Sequence, residues 1–157
     1  MLAHPPSKLW LVLILGGLVL RLSDVLDPVH EQMHAETVAI TGGEVVERVS
    51  NFIQWRGGNT PAVLFFGYHG ELWLYGLAAL LFKRIGLGCY GALLVVGPRA
   101  VGSIDFNQLR PDALLLHLAV WLAVVCVLAW LTYRRYAEVD QDGPQQLQPI
   151  TLPPRRL

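Results

Sequence analysis

The stretch from Ala113 to Tyr133 offers about 21 residues without a formal charge, bounded by Arg134-Arg135, and it contains Trp121 and Trp130. A run of this length satisfies its own backbone polar groups in lipid only as a helix. Further apolar runs precede it, and 54% of the 157 residues are hydrophobic against 15% charged. That balance excludes a disordered chain, and a net charge of zero excludes a basic nucleic-acid binder, so no nucleic-acid partner is expected. Cys89 and Cys126 lie in separate apolar segments and form no CxxC, which removes a disulfide framework and a cysteine-rich zinc site.

The first apolar run, Leu9 to Leu20 after Lys8, reads as a retained membrane helix of about 14 to 18 residues. The alternative, a cleaved leader, calls for a small-x-small site before Asp24, which is missing. Pro61 opens a second segment of about 22 residues, closed by Lys83-Arg84, long enough to span. In it Gly67, Gly70, Gly76, Ala78 and Ala79 make small-residue faces for close helix packing. A third segment runs from Ile85 to Val96, is expected to stop at Gly97-Pro98, and passes irregularly through 102–107 to Pro111-Asp112. The basic pairs at 83–84 and 134–135 both favour the cytoplasmic side, which requires Ile85 to Pro111 to cross once.

Between the first two runs the pattern changes. Asp27-Pro28 reads as an N-cap and first helical residue, and Gly42-Gly43 as a stop, giving a helix over about 28–41 that is about 21 Å long. It is too short to cross a ~30 Å hydrocarbon layer alone and must sit inside protein or at a membrane boundary. From Glu44 to Trp55 the β-branched and aromatic residues, with Ser50-Asn51 as a turn, predict a two-strand hairpin. The expected fold is therefore an all-α polytopic membrane protein with a small β-hairpin, holding three to four transmembrane helices plus the short helix. Residues 1–136 form the membrane-embedded domain, and 137–157 a Pro/Gln-rich tail without fixed structure.

The short helix carries His30-Glu31-Gln32-Met33-His34, an HExxH string. Residues four apart share a helix face, so both imidazoles reach one Zn²⁺ at about 2.0–2.1 Å. Glu31 is offset around the helix toward a coordinated water, whose pKa the metal lowers toward ~7. Chance places this string in roughly one chain in 200 of this composition, so the string alone is suggestive only. The bland reading, polar residues at an interface, does not explain His, Glu and His in consecutive turns between membrane spans, where ionisable groups need partners.

These residues, with Ala35, Thr41-Gly42-Gly43, a β-prone stretch, Gly57-Gly58 and Gly67-Tyr68-x-Gly70 in an apolar helix, resemble the M50-type membrane metallopeptidases, the site-2-protease-like group and in particular its compact M50B-like members. The resemblance covers about residues 28 to 85. It implies an HExxH helix embedded in the membrane with a hairpin beside it, a third aspartate ligand on a later transmembrane element, and a membrane-bound or membrane-proximal polypeptide as substrate. On that reading His30 and His34 ligate zinc and Glu31 is the catalytic general base. The family's Asp-Gly context for the third ligand occurs here only as Asp142-Gly143 in the tail, and the best substitute is Asp105, with Asp112 as runner-up and better explained as an N-cap.

Other polar residues have plainer readings. His69 is a hydrogen-bonded packing residue, with zinc ligation or substrate contact as the alternative; Glu71 pairs with Arg84, Arg99 or His69 in a structural or supporting role. His117 is an interhelical hydrogen-bonding residue, and His4 sits in an exposed terminus. The hairpin offers a strand edge to which an extended substrate adds. The expected function is a zinc-dependent membrane endopeptidase, integral and multi-pass, in contact with the lipid bilayer. The alternatives are an inactive family member that binds clients, Gln32-Met33 being more polar than the usual pair, or a small accessory subunit whose glycine faces scaffold other membrane proteins.

Overall fold

A computed structural model of the chain describes residues 9–82 and 85–141. His4, the Lys83-Arg84 pair and residues 142–157, with the expectations placed on them, lie outside the described residues.

The first apolar run forms α1 (Leu9–Leu22), which turns through 65° into α2 (Asp27–Ile40). The corner is made by Asp24 at φ 61°, a left-handed conformation that aspartate accepts more readily than most residues. Asp27 is not the cap that the sequence predicts: Leu26 takes that position without a side-chain bond, and the Asp27 carboxylate is engaged by Arg21 instead, at 2.8 Å. Strands β1 (Glu44–Val49) and β2 (Phe52–Arg56) pair antiparallel as expected, with Glu44 opposite Arg56 and Val49 opposite Phe52. Val46 is the extra residue of an irregularity between Val45 and Glu47. Helix α3 (Thr60–Leu81) is capped by Asn59, whose side chain accepts from the Ala62 N–H at 3.2 Å. Then follow α4 (Ile85–Ala100), the single turn α5 (Ile104–Asn107), and α6 (Pro111–Gln141).

Helix α4 does not stop at Gly97-Pro98. It runs through both residues, with Gly97 under the Trp121 ring of α6, whose indole N–H donates to the Leu93 carbonyl at 2.8 Å. The stop comes after Ala100, with Gly102 at φ 80°. Asp112 likewise is no N-cap: it stands in the first turn of α6, where the helix dipole favours an acid, 3.2 Å from Arg110. Helix α6 is continuous to Gln141, into the segment expected to be tail.

Helix α4 is the centre of the bundle. Leu93 and Val96 meet Leu72 and Tyr75 of α3, Phe106 of α5 and Leu128 of α6. On its other side α4 crosses α1 at backbone contact: a Cβ at Gly17 would overlap the Gly88 carbonyl, and one at Gly91 the Ile14 carbonyl. Val38, Ile53 and Val63 form a second small core that fixes the hairpin to α2 and α3. Among the described residues two segments are long and apolar enough to cross a membrane, Ile85–Asn107 and Pro111–Arg134, or up to three if the bent α1–α2 pair counts as one. Helix α3 is not among them despite its 22 residues, because His69, Glu71 and the glycines and tyrosines around them interrupt its hydropathy. The outer face of α6 leaves Leu115, Leu122, Val127 and Trp130 exposed, as a lipid-facing surface does.

Candidate metal centre

Two elements far apart in sequence bring His30, His34 and Asp105 together. Helix α2 presents the two histidines one turn apart, both buried, and the short α5 swings Asp105 against them. The Asp105 turn is fixed by Ser103, whose hydroxyl accepts from the Phe106 N–H at 3.2 Å, and by burial of Phe106 in the core. His30 Nε2 and His34 Nε2 lie 3.0 Å apart, and Asp105 Oδ2 lies 3.2 Å from the first and 3.4 Å from the second. A tetrahedral ion with bonds of about 2.0–2.1 Å spaces its ligand atoms about 3.3 Å apart. The three residues thus form a buried group able to hold a metal ion.

The far side of each ring decides what its Nε2 offers. His34 Nδ1 lies 2.8 Å from the Val63 carbonyl oxygen, which only accepts, so Nδ1 carries the proton. His30 Nδ1 lies 3.3 Å from Glu71 Oε2 and donates to it in the same way. In the neutral rings both Nε2 atoms are then acceptors, and with Asp105 Oδ2 they aim three lone pairs at one point. Such convergence is repulsive. A metal ion among them relieves that repulsion, as does a proton shared between one Nε2 and Asp105; the donor set of two imidazoles and one carboxylate suits a divalent ion of zinc's kind.

The rings are also enclosed. Tyr68 tilts against His30 with centroids 4.3 Å apart, and Trp55 of β2 lies nearly parallel to His34 at 6.3 Å. Gly67 of α3 backs both rings, since a Cβ there would strike His34 and approach His30. Gly70 makes room for Met33, and Gln32 pairs with Glu36 on the exposed side, which accounts for the polar character of the xx pair. Glu31 is largely buried and close enough to feel both imidazoles and Asp105, yet its carboxylate makes no hydrogen bond among the described residues.

Glu71 has a different partner from those the sequence proposes. Its Oε2 accepts from Arg21 at 2.9 Å as well as from His30, and Oε1 accepts from Tyr75 at 3.2 Å. Arg21 is fully buried at the end of α1 and also donates to Asp27. Arg99 of α4 closes the cluster on Asp24 at 2.6 Å and the Arg21 carbonyl at 3.1 Å. Sequence reasoning misses Arg21; the signal is a lone cation ending one apolar run and a lone anion inside another, each needing the other. His69 and His117 are not brought into the metal group. Their Nδ1 atoms lie 3.3 Å apart between α3 and α6, as a packing contact requires.

No family model, no curated protein and no solved structure matches the chain.

Proposed function

We propose that this chain is a zinc-dependent, multi-pass membrane endopeptidase that cuts membrane-bound or membrane-proximal polypeptides. One observation carries the reading: lone pairs of the buried His30 and His34 and the half-buried Asp105 converge at tetrahedral spacing beside a glutamate in HExxH register. When bound, the ion supplies Lewis acidity toward a scissile carbonyl and makes a water acidic near neutrality. Glu31 takes the proton from the attacking water and delivers it to the leaving amine, a task that suits a carboxylate with no other hydrogen bond. His30 and His34 stay oriented through Glu71 and the Val63 carbonyl, and Asp105 adds the negative charge that neutral imidazoles lack. The apolar outer faces keep the site beside lipid, where an anchored polypeptide is concentrated.

The test uses the full chain purified in detergent micelles. Stoichiometric zinc that is lost in His30→Ala, His34→Ala and Asp105→Ala supports the centre. Glu31→Gln should keep the zinc and lower cleavage of a membrane-anchored reporter by roughly 10²–10⁴-fold. Zinc in the wild type with no cleavage by any preparation leaves a client-binding protein. Absence of zinc leaves a scaffold and ends the peptidase reading.

A further inference from the structure

A histidine ring rotates about χ2 with little intrinsic preference, so a ligand atom stays on target only if something holds the other side of the ring. For His30 that something is Glu71 Oε2, an oxygen shared with Arg21. The carboxylate itself is fixed at both ends, because Tyr75 holds Oε1 and Arg21 holds Oε2. Arg21 then reaches through its other nitrogen to Asp27, three residues before His30 on α2. The guanidinium therefore ties the group that orients His30 to the helix that carries His30. Both ends of the pair are fully buried, so neither is exchanged for water.

We propose that Arg21 and Glu71 are positioning residues of the metal centre, holding the His30 ring where Nε2 faces His34 and Asp105, and that α1 is thereby an integral part of the site. This rests on the metal-binding reading above. The contacts make a division of labour: α2 and α5 supply the ligand atoms, whereas α1 and α3 set the angle at which one of them is offered. A purely structural salt bridge would hold the helices together without regard to which way the imidazole points.

The experiment compares wild type, Arg21→Gln/Glu71→Gln, Glu71→Gln and Tyr75→Phe as full chains in micelles. It reads the zinc dissociation constant by chelator competition, the visible spectrum of the Co²⁺-loaded protein, and circular dichroism. The double variant removes both buried charges together and leaves Asp27 the guanidinium of Arg99, 3.5 Å away. Its zinc affinity should fall about 10–100-fold with an altered cobalt spectrum and unchanged helicity. Glu71→Gln should fall less, because Arg21 still holds the amide oxygen that accepts from Nδ1; this variant carries the test if the double variant does not fold, and wild-type affinity and spectrum in it then overturn the positioning role. Tyr75→Phe, which spares Oε2, should stay close to wild type. A folded double variant with wild-type affinity and spectrum overturns the positioning role while the centre itself stands. A wild type that binds no zinc overturns both, and the two failures are told apart by which protein shows them.

Discussion

Gly67 of α3 lies against the imidazole of His34 so closely that a methyl group on the glycine would overlap ring atoms Cε1 and Nε2. The second helix of the site is therefore pressed onto the ligand ring itself. Gly67→Ala should cost about 1–3 kcal/mol of stability through overpacking, and should lower zinc content more than fold content. The matching Gly70→Ala meets only the flexible Met33 side chain and should be milder on both counts. Zinc stoichiometry beside thermal unfolding in micelles checks the pair; equal zinc loss in both would count against the contact.

The crossing of α1 and α4 allows a second prediction. A Cβ at Gly91 would run into the Ile14 backbone carbonyl, which no rotamer change relieves. Gly91→Ala should push α1 away, pull Arg21 from Glu71, and lower the unfolding midpoint and the zinc affinity together. Gly16 of α1, with nothing near its Cβ, is the control: Gly16→Ala should raise stability by roughly 0.5–1 kcal/mol without touching the metal.

Removing the ion should be felt in the fold. A ligand at 100 times its dissociation constant stabilises by about 2.7 kcal/mol, so chelation of zinc should lower the unfolding midpoint. The effect should vanish in Asp105→Ala, where one lone pair of the three is already gone. A midpoint indifferent to chelator in the wild type would speak against a resident metal.

The hairpin is exposed along most of both strands, with Val49 and Phe52 opposite one another beside the turn and Val45, Ile53 and Trp55 turned inward. Val49→Pro removes a backbone donor and bends the strand. It should impair cleavage of a reporter while zinc remains bound, if an extended substrate adds to this edge. Unchanged cleavage would sink that role for the hairpin.

What was legible in the sequence follows the range of the interactions. His30 and His34 share a face by helical spacing alone, and the hairpin follows from its β-branched residues and Ser50-Asn51, so both are local facts. Asp105 enters by resemblance to a family pattern, and its approach depends on α4 running past Gly97-Pro98 against Trp121 of another helix, a contact the segment itself does not announce. The Arg21–Glu71 pair joins residues 50 apart, and nothing in either segment alone names the other. Asp27 and Asp112 both look like caps in sequence and both are taken by arginines instead.

The two ligand rings are anchored by unlike things. His34 leans on the oxygen of a peptide bond, which survives nearly any change of codon at position 63, whereas His30 leans on a carboxylate that a single base change deletes. One arm of the centre is thus genetically fixed and the other adjustable, so selection can retune how tightly the ion is gripped by acting on Glu71 and its neighbours without touching the ligands.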